Sequence, residues 1–321
     1  MQRGRRSPDA TAVGPLPEAR AERMVVVLAV ATMACTYALV VLGSTVRVTH
    51  SGMGCASWPL CDGSITPIDR YHALLEQSHR YLAALVTVGA LSTAVAARRA
   101  RDHREAFAPA VAGACLVLFQ AGLGALTVLA KNAPWTVAVH LVTGLVFLAV
   151  TAVTAVVAVR GRRASWSRAA VGWWGWALLA ATLATIVGGS LVVANGASRA
   201  CPGWPLCPSS ASSLADWQIV HRTLASSAGI CLAAFVASRW RTTSGWRRGF
   251  SLVSIGVFVA VAAFGAASAL SRAGAAWQDA HLAMVALLWT SVVTMVAVRA
   301  TDPPRAPQPG ALALAALGKG A

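Results

Sequence analysis

The sequence predicts an all-α integral membrane protein of eight transmembrane helices, built as two tandem four-helix bundles related by a parallel internal repeat. Three observations carry that expectation. Of 321 residues, 57% are hydrophobic and only 12% charged, against roughly 25% charged in a soluble domain. Nearly uncharged stretches of about 20 residues, the length that crosses a bilayer as a helix, recur along the chain. Landmark residues of the first half then return in the same order in the second.

In chain order the spans read Met24–Ser44, Gln77–Ala97, Ala106–Ala130, Thr136–Val159, Val171–Val193, Gln218–Ser238, Gly249–Leu270 and Ala280–Val298. Arg80 and Arg222 lie inside the second and sixth, each one turn from the start. Residues 1–23 are polar and Arg-rich and residues 300–321 Pro/Ala-rich, so both read as disordered cytoplasmic tails. Between them, 24–160 form one bundle and 161–299 the other. No clear cleavage pattern marks a signal peptide, and the first span is long enough to stay as a helix.

The formal charge of +16 invites a nucleic-acid reading, but placement decides against it. Arginines cluster in the N-tail, in the connections after the second, fourth and sixth spans, and in the C-tail. The other side holds only Arg47, Arg70, Lys131, Arg199 and Arg272. The positive-inside rule then puts both termini in the cytoplasm of a multi-pass cell-membrane protein, with lipid as its surroundings and no nucleic acid.

The repeat is specific. Gly43-Ser44 through Cys55, Trp58-Pro59-Leu60 and Cys61 returns at an offset of 146 as Gly189-Ser190 through Cys201, Trp204-Pro205-Leu206 and Cys207. His79-Arg80 matches His221-Arg222 at 142, and His140 matches His281 at 141. Each half has four spans, an even number, so the second copy re-enters the membrane in the same orientation.

The four histidines start the even-numbered spans, at one depth near the outer face. A lone membrane histidine can simply hydrogen-bond a neighbouring helix. Two on alternate helices of one bundle can instead face each other and hold a haem iron from both sides. Zinc fits less well, since a structural site usually takes four ligands. Arg80 and Arg222 suit haem propionates, and equally suit snorkelling to headgroups.

Cys35, Cys115 and Cys231 lie inside spans and read as small hydrophobes. The pairs Cys55/Cys61 and Cys201/Cys207 lie in outward loops, where disulfides form. A purely structural staple and a thiol-exchanging bridge both remain open for them.

The copies differ at one informative position: Glu76 stands three residues before His79, Gln218 three before His221. Spacing i, i+3 puts Glu76 on the His79 face, where a carboxylate can take a proton or balance a developing positive charge. Its alternative is an ion pair with Arg80. His72 shares this face but reads as a solvated loop residue, as do His50 and His103 as surface residues; Asp279 is on a different face from His281 and receives no role.

Glu76-Gln77-Ser78-His79-Arg80, the loop Gly52 to Cys61 and the duplicated His/Cys pattern together resemble the haem A synthase family, over about Met24 to Arg299. The resemblance implies oxidation of the C8 methyl of haem O to a formyl group, giving haem A for cytochrome c oxidase, with water as the oxygen source. It implies substrate haem between His79 and His140 and a resident haem b between His221 and His281. It also implies redox steps at Cys55 and Cys61, a catalytic Glu76 and a structural Cys201–Cys207 disulfide. Some members space the first cysteine pair one residue wider. Implied partners are haem O, haem O synthase (the protohaem farnesyltransferase) and cytochrome c oxidase assembly factors. The competing class is a bis-histidine membrane cytochrome carrying electrons between quinone and external thiols. A parallel-repeat transporter ranks last, because the polar landmarks crowd the outer edge rather than breaking helices at mid-membrane.

Overall fold

The computed structural model describes residues 16–55, 57, 60–63, 65, 70–208 and 212–302. Eight long helices follow one another: α1 (Leu16–Val48), α2 (Tyr71–Arg99), α3 (Arg104–Leu129), α4 (Pro134–Arg160), α5 (Arg168–Ala194), α6 (Ala215–Arg239), α7 (Trp246–Leu270) and α8 (Ala275–Ala300). All eight are long and apolar enough to cross a membrane. Large apolar side chains such as Leu85, Val88, Phe119, Ile230 and Val259 point outward, where lipid rather than water is the natural neighbour.

The helices outrun the predicted spans because polar end turns continue the backbone hydrogen bonding past the apolar stretch. Two expectations about the tails change at their edges. Helix α1 starts at Leu16, with Pro17 in the first turn, where a proline costs no backbone bond. At the other end Thr301 is fully buried, and Asp302 pairs with Arg160 (2.8 Å) and Arg247 (2.8 Å). Residues 1–15 and 303–321, the rest of the expected tails, lie outside the described residues.

Backbone geometry repeats as the sequence does. After α3, Lys131 and Asn132 take positive φ; after α7, Arg272 and Ala273 do the same, at an offset of 141. The matched amides Asn132 N–H and Ala273 N–H reach back to Thr127 and Ser268 carbonyls (2.9 and 2.7 Å), closing each helix as a left-handed cap does. The next helix then starts at Pro134 in one half and Ala275 in the other. Identical turns therefore deliver His140 and His281 at the same height.

Helices α1 to α4 close a ring of neighbours, as do α5 to α8, although the backbones of α6 and α7 stand farther apart and meet through the Phe258 ring against Gly229. The groups meet through α4 against α8, flanked by α1 against α8 and α4 against α5. Leu145, Leu148, Ile186, Ala286, Trp289 and Val293 fill this seam, and the Trp289 indole N–H donates to the Leu145 carbonyl (2.8 Å). Elsewhere alanines such as Ala29, Ala97, Ala106, Ala155 and Ala158 form the contact; small side chains let membrane helices approach closely.

Candidate functional site

His79 is the ninth residue of α2; His140, His221 and His281 are each the seventh of α4, α6 and α8. The structure brings them together in pairs, His79 near His140 and His221 near His281, close enough for a charge on one ring to be felt by the other.

Each imidazole rests on a glycine of the preceding helix. An added Cβ would come within 2.9 Å of the His79 ring at Gly43, 3.0 Å of His221 at Gly189, 3.5 Å of His140 at Gly124 and 3.0 Å of His281 at Gly265. Gly43 maps onto Gly189 at the offset of the loop repeat, and Gly124 onto Gly265 at that of His140 and His281. Gly124 and Gly265 are site residues that the sequence reading passed over. The signal that finds them is this second alignment, because a glycine kept opposite a kept histidine marks a close approach.

The pairs differ in how the rings are held. His221 Nδ1 lies 3.1 Å from the Thr185 carbonyl and His281 Nδ1 2.9 Å from that of Val261. An Nδ1–H bonded to a carbonyl fixes the tautomer and leaves Nε2 as the ligating atom. In the first pair, His79 Nδ1 and His140 Nδ1 are buried without a partner. The position of α3 that matches Val261 is Gln120, whose amide nitrogen instead donates to the His140 carbonyl (3.0 Å), and whose oxygen accepts from Thr143 (2.5 Å).

Glu76 is buried and both its oxygens are engaged. Oε1 meets Arg80 Nη2 at 2.6 Å, and Oε2 accepts from the Cys55 backbone N–H at 2.9 Å. The predicted ion pair is therefore present, on the helical face shared with His79. At the matched position Gln218 is a donor: its amide nitrogen reaches the Ala197 carbonyl (3.0 Å) and that of Ser198 (3.4 Å). One copy thus surrounds the position with donors and the other with acceptors, which accounts for Glu in the first and Gln in the second.

Arg80 and Arg222 secure the loops above the histidines. Arg80 donates to the carbonyls of Ser57 (2.8 Å) and Leu60 (3.4 Å). Arg222 donates to those of Gly203 and Pro205 (2.9 Å each). Both loops are closed by disulfides, Cys55–Cys61 and Cys201–Cys207. Cys55 and Cys61 are fully buried and pack on Ala73 of α2, so this bridge is shielded rather than exposed. Trp58 and Pro59 of the repeated loop motif lie outside the described residues.

Four further polar residues lie outside these two pairs. His72 is exposed and hydrogen-bonds Ser51 (2.8 Å), but it lies in the first turn of α2 rather than in a loop; His50 is exposed, as expected. His103 is not a surface residue: it is 7% exposed, tucked beside Gly161 where the connections after α2 and α4 meet. Asp279, given no role above, accepts from Thr45 of α1 (2.8 Å).

The donor set fits an iron porphyrin. Two imidazoles lie near each other in each half, nested on glycines where a side chain would intrude, and no Nε2 is hydrogen-bonded among the described residues. Buried polar atoms without partners, such as the first pair's Nδ1 atoms, are rare and call for an explanation such as a ligand or ion. No cluster of three or more His, Cys, Asp or Glu among the described residues suits a bare metal ion.

Fold and site together define a duplicated, multi-span membrane protein with a histidine pair at one end of each half. Residues 26–293 match the COX15-CtaA family, described as cytochrome oxidase assembly protein, and the chain belongs to that family. It is 32% identical over 179 residues to the heme A synthase of Symbiobacterium thermophilum, covering 52% of this chain and 58% of the relative. With that of Geobacillus thermodenitrificans it shares 31% over 176 residues, covering 52% and 56%. The chain thus spans under two thirds of the length of these relatives.

Proposed function

We propose that this protein is a haem A synthase, oxidising the C8 methyl of haem O to a formyl group in the outer part of the membrane. The methyl takes one oxygen from water and releases four protons and four electrons. The arginine-rich side, with both termini, faces the cytoplasm. Helices α1 to α4 form the substrate unit, with haem O between His79 and His140. Helices α5 to α8 hold haem b between His221 and His281, with Arg80 and Arg222 near the propionate edges. When bound, haem b would take the released electrons one at a time and pass each onward to an acceptor outside this chain.

The observation that carries the reading is the asymmetry between the pairs. A resident cofactor needs ligands fixed in advance, and the second pair has its Nδ1 atoms tied to helix carbonyls. A substrate must enter and leave, and the first pair lacks those ties. Among the described residues, only the first pair has a carboxylate on the helical face of its histidine. Glu76 is oriented through both oxygens, and it balances positive charge developing at the methyl carbon or accepts a released proton. Arg80 and the Cys55 N–H hold it in place. Through that N–H the Cys55–Cys61 bridge, proposed to act in the redox steps, is coupled to Glu76, whereas Cys201–Cys207 staples its loop. Haem O synthase and oxidase assembly factors are the proposed partners.

Pigment extraction from the purified protein tests the reading. Haem O or haem A should accompany haem b, and His79→Ala or His140→Ala should remove the former and spare the latter. Haem b alone in the wild-type protein, expressed beside a source of haem O, would leave the bis-histidine electron carrier instead.

A further inference from the structure

A recess lies at the opposite end of the second half from its histidines, between the end of α6, the start of α7 and the end of α8. Arg239, Arg247, Arg248 and Arg299 line it, with Trp240 and Trp246, and among the described residues no acidic side chain does. Asp302, just outside, engages Arg247 through both oxygens (2.8 and 2.9 Å). Arg248 lies over the Trp240 ring (4.4 Å) and donates to the Trp240 carbonyl (2.8 Å), while its Nε is buried with no acceptor. The Arg239 guanidinium lies against Gly172 of α5 and has no hydrogen-bond partner among the described residues. The recess therefore has an unmet demand for an anion with several acceptor oxygens.

Its apolar side points to what carries that anion. Phe235, Phe250 and Met295 line the recess, and it opens between the backbones of α6 and α7, which stand farther apart than those of their counterparts α2 and α3; further along, the Phe258 ring of α7 closes the gap against Gly229 of α6. Trp240 and Trp246 are exposed at the mouth, the headgroup-level position that tryptophan favours. Arginine clusters on this side serve topology in general, but the matched connection after α2 shows what that alone looks like: Arg98 and Arg99 are exposed above closely packed helices.

We propose that the recess binds the phosphate of an anionic phospholipid from the leaflet on the side of the termini, with its acyl chains in the gap between α6 and α7. Guanidinium groups match phosphate in geometry and charge, and basic pockets between membrane helices are recognised headgroup sites.

The test uses the full-length, haem-loaded protein in a zwitterionic detergent. Thermal stability is titrated with short-chain phosphatidylglycerol, with phosphatidylcholine of the same chains, and with inorganic phosphate. Phosphatidylglycerol should stabilise saturably and the other two should not. Arg239→Gln breaks no hydrogen bond of the fold and should weaken apparent phosphatidylglycerol affinity by about tenfold or more, as loss of a charged hydrogen-bonding partner does. Arg98→Gln/Arg99→Gln should bind as wild type does. Should Arg239→Gln fail to accumulate, Arg239→Lys replaces it and should bind several-fold more weakly than wild type, for want of the guanidinium fork. Equal stabilisation by phosphatidylcholine would overturn the headgroup assignment, and a full effect from phosphate alone would overturn the lipid. Unchanged affinity in the Arg239 variant, or an equal loss in the Arg98/Arg99 control, would overturn the site.

Discussion

Glu76→Gln separates packing from charge at the position where the two halves diverge. The Glu76 side chain is 5% exposed and that of Arg80 12%, so the pair is almost wholly desolvated. Truncation to alanine would strand the guanidinium and cost about 3–5 kcal/mol. Glutamine keeps the volume and one acceptor, so either Arg80 or the Cys55 N–H stays satisfied while the other faces an amide NH2. That loss is about 1–3 kcal/mol, a fraction of a domain's stability, and the variant should accumulate with haem b on His221 and His281. Loss of a general base or a charge stabiliser costs about 10²–10⁴-fold in rate. Expressed beside a source of haem O, Glu76→Gln should retain haem O and yield almost no haem A on extraction. Near-normal haem A at matched protein levels would refute the catalytic reading and leave Glu76 as the anchor of Arg80.

Four further outcomes follow from the same geometry. Gln218→Glu points a carboxylate at the Ala197 and Ser198 carbonyls and should destabilise by about 1–3 kcal/mol, read as a lower Tm. His221→Ala or His281→Ala should abolish the low-spin spectrum of haem b, since one imidazole cannot keep the iron six-coordinate. Gly265→Ala brings a methyl within 3.0 Å of His281 and should lower haem b retention, whereas Gly256→Ala, with open space around it, should be neutral or raise stability by up to about 1 kcal/mol. Burial pushes the Asp302 carboxyl up, but hydrogen bonds and charges from Arg247 and Arg160 outweigh it and hold it below its ordinary 3.8. Its stabilisation is then complete above pH 3.8 and lost as pH falls through the lower folded value. Asp302→Asn should lower Tm at neutral pH, and the gap to wild type should close in acid.

Much of this was legible because a bilayer leaves few options. Uncharged stretches of spanning length must be helices, so the eight elements and the depth of the histidines follow from the residues alone. The pairing of histidines follows from duplication. What the sequence hides is which groups a side chain meets across the fold. The Nδ1 contacts of His221 and His281 are to backbone carbonyls, which every residue has, so no side chain announces them. Likewise Glu76 and Gln218 look like a charge difference until their surroundings show donors at one and acceptors at the other. His103 is a plain miss: a polar residue in a short connection looks solvated, yet two connections close over it.

Asp279 shows how a correct local inference can stop short. Two residues before His281, it lies about 200° around the helix from that imidazole and so off the face of the site. That same angle turns it toward α1, where Thr45 donates to it and Arg47 donates to the neighbouring Gln278 (3.4 Å). By the repeat offsets the mirror-related positions are Leu191 and Ala138, both apolar, so the polar contact exists on one side of the seam only. Thr45 is two residues beyond Gly43, the seat of His79, and Asp279 two before His281. The contact therefore ties the helix that seats His79 to the helix that carries His281. A duplicated framework gives two equivalent histidine pairs; unmatched residues such as Glu76, Gln120 and Asp279 make the pairs unequal and join them.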